Sequence, residues 1–276
     1  MTAVATFAGL SLDQPRIFGI INVTPDSFSD GGEALVVEDA VSRGRAMLDA
    51  GADVLDVGGE STRPGAEPVG IDEEIARVIP VVKALSELGA LVSIDTRRAP
   101  VMEAAIEAGA TIINDVTALS HDPNSMGLAV ASGLPVILMH MLGEPGTMQD
   151  NPQYEDAALD VFGYLKKRVA ACEAAGIDRG RIAVDPGIGF GKTVAHNLDI
   201  LSRLDLYRDF GCPVLLGASR KTFIGKLSGD VAPKDRLGGS LAAVLAAAAR
   251  GVRLFRVHDV ADTRQALTVF HAIEKK

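Results

Sequence analysis

The sequence predicts an α/β protein, a single (β/α)8 TIM barrel running from residue 1 to residue 276. Three observations carry that expectation. The length of 276 residues is close to the roughly 250 of a typical (β/α)8 barrel and long enough to bury one large core. Apolar residues make up 47% and aromatics only 4%, with no Trp, so the core must rest on Val, Ile, Leu and Ala. Branched aliphatics are what fill such a barrel. Finally, a strand-then-helix pattern recurs along the whole chain with no long linker or low-complexity stretch, which predicts a parallel sheet.

Taken in order, the predicted strands are Arg16–Asn22, Asp53–Val57, Leu91–Asp95, Thr111–Asn114, Pro135–Met139, Arg181–Asp185, Pro213–Gly217 and Arg253–Val257. Most are short apolar runs rather than strict alternations. Strands covered by helices on one face and by a packed barrel interior on the other read this way. Helical segments fall between them, for example Ile71–Leu88, Tyr154–Ala175 and Arg236–Arg250. A weak internal repeat supports the count. Ala50-Gly51-Ala52-Asp53-Val54-Leu55-Asp56 aligns with Ala108-Gly109-Ala110-Thr111-Ile112-Ile113-Asn114, and Gly251 to Arg256 keeps the same register. In each, a Gly can end the helix in the left-handed conformation before a short strand. Asp56, Asn114 and Arg256 thereby reach equivalent positions near strand C-termini, the end where such barrels do chemistry. An open doubly wound sheet is the alternative architecture. It would normally show a glycine-rich phosphate loop after the first strand, where this chain has Val23-Thr24-Pro25-Asp26.

The net charge of −9 argues against a nucleic acid or an acidic membrane surface as partner. Cys172 and Cys212 fit no metal spacing and no disulfide framework. The N-terminus lacks the basic start and apolar stretch of a signal peptide. The most apolar helix, Ser240 to Ala249, is about half the length a bilayer requires. The expected location is cytoplasmic.

What stands at the strand ends is more informative. In order these are Asn22, the loop Gly58-Gly59-Glu60-Ser61-Thr62-Arg63-Pro64, Asp95, Asn114, Met139, Asp185, Ser219-Arg220-Lys221 and Arg256-Val257-His258. Any single Asp, Asn or Ser could be a helix N-cap, but caps do not call for Lys or Arg. Asp95, Asn114 and Asp185 offer acceptors, and Asn114 also a donor, for the edge of a flat heterocycle rich in N–H groups. Arg63, Arg220, Lys221, Arg256 and His258 supply cations for an anion such as phosphate or diphosphate. Asn22 is a neutral oxygen donor suited to Mg²⁺, which keeps most of its waters and bridges to phosphate.

Other features read blandly. Pro186 to Thr193 looks like the end of a P-loop, but Pro186 occupies the place of the first glycine and the segment follows the sixth strand. A flexible connecting loop is expected there, with Phe190 able to line a pocket. His121, His140, His196 and His271 share no metal-ligand spacing and are expected in surface or structural roles. Glu73-Glu74 reads as the acidic first turn of a helix.

Several of these segments resemble the signatures of one family. Ile21 to Gly32 is similar to the first motif of the dihydropteroate synthases, and Gly58 to Gly65 to the second. Ser93-Ile94-Asp95-Thr96, Ile113-Asn114-Asp115, Asp185 to Lys192, Ser219-Arg220-Lys221 and Arg256-Val257-His258-Asp259 resemble the rest, in order and over nearly the whole chain. Arg97-Arg98, where members often carry a Lys, and Leu142-Gly143-Glu144 are minor variations expected to alter loop contacts. The resemblance implies a transferase of folate biosynthesis, a target of sulfonamides. It would condense 6-hydroxymethyl-7,8-dihydropterin pyrophosphate with p-aminobenzoate, releasing pyrophosphate. It also implies roles. Asp95, Asn114, Asp185 and Lys221 would hold the pterin, with Met139 and Phe190 against its ring. Asn22, Thr62, Arg63, Arg256 and His258 would bind the diphosphate, with Mg²⁺ on Asn22. Phe28, Pro64, Ser219 and Lys221 would form the aminobenzoate site. Asp95, Asp185, Lys221, Arg256 and His258 would carry the catalysis. The loop holding Phe28 and Asp30 would order during turnover, and a homodimer would be expected. The rival readings are a folate or corrinoid methyltransferase domain, a non-catalytic pterin-binding paralogue and a structural protein. The first has no use for a diphosphate pocket, and the last leaves the polar strand ends unexplained.

Overall fold

Eight parallel strands curl around one axis, and helices form the outer layer. The computed structural model describes residues 5–23, 33–61 and 69–275. An antiparallel hairpin of β1 (Thr6–Phe7) and β2 (Leu10–Ser11) comes first. The barrel strands are β3 (Arg16–Asn22), β4 (Val54–Gly58), β5 (Val92–Asp95), β6 (Ile112–Asp115), β7 (Val136–Met139), β8 (Ile182–Asp185), β9 (Leu215–Leu216) and β10 (Leu254–Val257). Between them run α1 (Glu33–Asp49), α2 (Ile71–Glu87), α3 (Ala99–Glu107), α4 (Ser125–Ser132), α5 (Ala157–Ala175), α6 (Val194–Ser202), α7 (Thr222–Leu227) and α8 (Leu237–Ala249), with α9 (Val260–Glu274) last.

The strand order is β8-β7-β6-β5-β4-β3-β10-β9. A parallel bridge between Val184 and Val214, with the Val184 N–H donating to the Pro213 carbonyl at 2.9 Å, closes the ring between β8 and β9. The predicted barrel is therefore what forms. Gly51, Gly109 and Gly251 all have positive φ, at 95°, 106° and 92°, so the repeated helix-ending glycine does the work its position implied.

Inward-facing residues alternate along every strand, and they change character from bottom to top. Phe18, Val54, Ile112, Ile137, Ala183, Leu215 and Leu254 form the apolar lower layer, closed off by Phe7 and Leu12 from the hairpin region. Two residues further along stand Ile20, Asp56, Asn114, Met139, Asp185, Gly217 and Arg256. One more step reaches Asn22, Asp95, Ser219 and His258. The lower layer fills the barrel, and the upper layers make its floor polar.

Three expectations are corrected by packing. Helix α5 starts at Ala157 rather than Tyr154, because the Asp156 carboxylate caps it by accepting from the Leu159 N–H at 2.9 Å. Glu73 and Glu74 do stand in the acidic first turn of α2, with Asp72, and Glu74 is in addition fully buried, accepting from Thr96 Oγ1 at 2.7 Å and from Arg98 Nη1 at 2.8 Å. The segment after β8 is packed rather than loose: the Asp185 carboxylate, the Asn197 amide and Lys192 all bond into it. Arg220 does not join a free cation cluster, since Asp259 holds its guanidinium, with Nε to Oδ2 at 2.9 Å. Cys172 and Cys212 are buried free thiols, as expected, and His196 has the structural role of completing a capping box with Thr193.

Candidate active site at the C-terminal end of the barrel

Arg256 on β10 organises the floor. Its Nε donates to Asp56 Oδ2 at 2.5 Å and its Nη2 to Asp95 Oδ2 at 2.7 Å. Asp56 has no exposed surface, and it also accepts from Asn114 Nδ2 at 3.2 Å. That contact directs the Asn114 amide nitrogen at Asp56. Burial works against the Arg256 cation, but Asp56 and Asp95 outweigh it and hold its pKa above the ordinary arginine value. The internal repeat places Asp56 level with Asn114 near a strand end without giving it a role; its place beneath Arg256 supplies one.

Asp95 and Asp185 stand on opposite sides of this floor. Burial pushes Asp95 up to about 7 against the pull of Arg256, and Asp56 and Asp115 add to the rise. Burial likewise lifts Asp185 to about 6, opposed by the Gly187 N–H that donates to Oδ1 at 2.7 Å and by Lys221. Two carboxyls tuned near neutrality beside a buried arginine mark a functional site rather than a set of helix caps.

Beside them lies an apolar wall, termed the slot for the ring it could seat. Val116, Met139, Met148 and Phe190 pack as one buried cluster. Lys221 Nζ sits 4.0 Å from the centre of the Phe190 ring, a cation over an aromatic face. Met139, Phe190, Asn114, Asp185 and Lys221, expected together, are brought together.

Across the floor, Ser219 Oγ lies 3.0 Å from His258 Nδ1 and also accepts the His258 backbone N–H at 3.2 Å. Burial, with Arg256 and Arg220 alongside, pushes His258 down to about 3. The imidazole is therefore neutral rather than the cation the sequence suggested. Asn22 ends β3 next to Gly58. Phe28, Thr62, Arg63 and Pro64 lie outside the described residues.

An ion-pair network links Glu60 to Arg97, Arg98 and Glu144. Arg97 reaches Glu60 through Nε at 3.0 Å and Glu144 through Nη1 at 2.7 Å, while Arg98 Nη2 reaches Glu60 at 2.8 Å. Arg97, Arg98 and Glu144 thus tie the segments after β4, β5 and β7 to one another.

For Mg²⁺, no group of three or more His, Cys, Asp or Glu side chains could hold a metal among the described residues, and Asp56 and Asp95 are already taken by Arg256. A single amide ligand with the rest supplied by water and phosphate suits Mg²⁺, so Asn22 fits an ion carried in with a diphosphate.

A barrel floor built of carboxylates around a buried arginine, beside an aromatic-lined apolar cluster, has the chemistry to take a flat N–H-rich ring next to an anion. The model for the family "Pterin binding enzyme" matches residues 18–258. The chain is 46% identical over 273 residues to the dihydropteroate synthase of Escherichia coli K12, covering 99% of this chain and 96% of that one. Its fold superimposes on the Xanthomonas albilineans dihydropteroate synthase solved with 4-aminobenzoic acid with a TM-score of 0.92 at 49% identity, covering 98% and 97% of the two chains. The same protein solved with 7,8-dihydropteroate gives 0.88 at 46%, covering 97% and 96%. The chain belongs to the dihydropteroate synthase family of pterin-binding enzymes.

Proposed function

We propose that this barrel condenses 6-hydroxymethyl-7,8-dihydropterin pyrophosphate with p-aminobenzoate to give 7,8-dihydropteroate and pyrophosphate. The observation that carries the reading is the Asp56–Arg256–Asp95 cluster on the barrel floor beside the Met139–Phe190 slot. It combines acceptors for ring N–H groups with a cation for the departing diphosphate. A methyltransferase or a non-catalytic paralogue would need no such pairing.

In this reading the pterin lies in the slot with its N–H edge on Asp95, Asn114 and Asp185, and Lys221 closes the other side. The bond between the pterin methylene carbon and the diphosphate oxygen breaks, and the electron pair leaves with the diphosphate. Positive charge spreads into the electron-rich ring, above carboxylates already fixed in place, which is preorganised electrostatic stabilisation. Arg256, held between two carboxylates, is offered competing acceptors by the diphosphate, and His258 and Arg63 complete the anion site with Thr62. Asn22 would hold Mg²⁺, which when bound supplies charge neutralisation for the leaving group. The aminobenzoate amine, placed by Phe28, Pro64, Ser219 and the Lys221 stem, attacks the methylene carbon and then loses a proton. No helix among the described residues is long and apolar enough to cross a membrane; a cytoplasmic homodimer belongs to this reading, and sedimentation measures the assembly.

Incubation with both substrates, with and without Mg²⁺, tests the proposal, and dihydropteroate and pyrophosphate should form in equal amounts. Binding is expected to be ordered. By titration calorimetry, aminobenzoate should bind poorly to the free protein and well when pyrophosphate, Mg²⁺ and a pterin are present. Equal affinity in both conditions would reject the order.

A pH dependence follows from the floor carboxyls. Both must be ionised to accept ring N–H groups, and both titrate near neutrality because burial raises them, Asp95 to about 7 and Asp185 to about 6. The pterin kcat/KM should fall as pH drops through that range, as a property of the coupled cluster. A flat profile between about pH 5 and 8 would contradict the assignment.

A further inference from the structure

Lys192 closes the glycine-rich turn after β8, and the reaction above makes no use of it. Its side chain is almost completely buried, a costly place for an ammonium group without partners. The partners are specific. Nζ lies 2.9 Å from His140 Nδ1, donates to the Phe190 carbonyl at 3.0 Å and reaches the His140 carbonyl at 3.4 Å. Those carbonyls belong to two different loops. His140 follows β7 directly, and Phe190 lies in the turn after β8.

We propose that Lys192 is a positioning residue for the pterin site, its ammonium group stapling the β7 and β8 loops together and so fixing where Phe190 packs against Met139. The inference rests on the pterin reading of that slot.

The two loops already meet backbone to backbone. Gly187 has φ +66°, and a Cβ placed on it would lie 1.9 Å from the His140 carbonyl oxygen; the His140 N–H donates to the Asp185 carbonyl at 3.0 Å. Beyond Gly187 the turn stays against the β7 loop, with a Cβ on Gly191 only 2.5 Å from the Leu142 carbonyl oxygen. Gln149 Nε2 and Tyr154 OH donate to the Gly189 and Gly191 carbonyls at 2.7 and 2.8 Å; Lys192 is the tie that acts on Phe190 itself. The Phe190 carbonyl that it holds belongs to the residue whose ring packs with Val116, Met139 and Met148 and carries Lys221 over its face. A shift of that backbone would move one wall of the slot and the seat of Lys221 together.

His140 suits the part. Its ring stands edge-on to Tyr164 with centroids 4.9 Å apart, which fixes Nδ1 toward Lys192. Burial, with Lys192 beside it, pushes His140 down to about 3, so it is a neutral acceptor rather than a competing cation. Burial also lowers Lys192 to about 7, with Lys221 adding to the fall and the Asp185 carboxylate opposing it.

The test compares steady-state kinetics of Lys192→Met and Lys192→Gln with the parent enzyme. Lys192→Met keeps the length of the stem and removes every donor. It should raise the KM for the pterin diphosphate about tenfold, the usual consequence of losing a buried charged hydrogen bond. The KM for aminobenzoate should stay within about twofold on the same scale. Lys192→Gln retains a donor on a shorter arm and should recover part of the loss. A purely structural role would instead lower Tm and the yield of active enzyme and leave both KM values unchanged, and that result overturns the proposal. So does failure of both variants to fold, since it would make Lys192 a residue of general stability. Inactivity of the parent enzyme with these substrates would count against the function instead, before any variant is measured.

Discussion

Replacing Arg256 with methionine should destabilise the barrel by about 3 kcal/mol at neutral pH and abolish its affinity for diphosphate. The size of the effect comes from what the guanidinium leaves behind. Asp56 is fully buried and takes its charged partner from Arg256 Nε at 2.5 Å, while Asp95 takes Nη2 at 2.7 Å. Removing one partner of a buried ion pair strands the other charge, which costs more than the pair was worth. The variant should also acquire a recognisable pH dependence. Asp95 already titrates near 7 with Arg256 present, well above an unfolded aspartate, and loss of the cation raises it further. A carboxyl whose folded pKa is raised contributes stability below its unfolded pKa, and that contribution is lost as pH rises through the folded value. The deficit of Arg256→Met relative to the parent should therefore be small near pH 5 and grow toward pH 8, as urea melts would measure. Adding Asp56→Asn to the variant should restore part of the stability, because the stranded charge is then gone. A parent-like midpoint at both pH values would refute the account.

The barrel itself was legible because its signals are local. β3 has the bounds read from the sequence, and the others shift by a residue or so. The largest contraction, Pro213–Gly217 to Leu215–Leu216, has a simple cause: Pro213 offers the ladder no N–H. It is linked to β8 by its carbonyl instead. The β1–β2 hairpin escaped notice because strands of two residues are too short to show periodicity. What betrays them is function rather than pattern, since Phe7 plugs a barrel floor that would otherwise stay open.

The site was legible in part. Polar residues at strand ends named Asp95, Asn114, Asp185, Lys221, Arg256 and His258, and the structure gathers them. It could not be read from sequence that Arg256 would be shared between two carboxylates, or that His258 would be neutral. Both depend on burial and on partners brought together by closure of the barrel; Arg256 and Asp56 are 200 positions apart. Glu74 and Lys192 show the same limit. Each looks like an ordinary charged residue on a helix or in a turn, and each owes its role to partners on other strands' loops, Thr96 and Arg98 for one and His140 for the other. Charge patterns along the chain report solvated faces well and buried networks poorly, because a buried charge is defined by what is not adjacent to it.

Asp185→Asn should cost pterin binding roughly a hundredfold, about 3 kcal/mol, while leaving the fold intact. The geometry distinguishes the two oxygens of this carboxylate. Oδ1 accepts the Gly187 N–H at 2.7 Å, and Gly187 is the residue wedged against the His140 carbonyl. In the asparagine variant the amide oxygen is drawn to that N–H, which preserves the turn. The NH2 group is then left facing the slot, where the carboxylate had presented an acceptor. A donor confronting the ring N–H groups adds repulsion to the loss of a charged hydrogen bond, and Lys221 loses the negative charge that offsets its own. The substitution should therefore act on binding, with Tm almost unchanged. Asp185→Ala should behave differently. It strands the Gly187 N–H as well, an unsatisfied buried donor worth about 1–3 kcal/mol, and so should lower Tm along with affinity. Calorimetric titration of a pterin into both variants, paired with thermal melts, separates the two effects. Parent-like pterin affinity in Asp185→Asn would remove this carboxylate from the ring-reading edge, and equal Tm values for the two variants would show that the Gly187 contact does not support the turn.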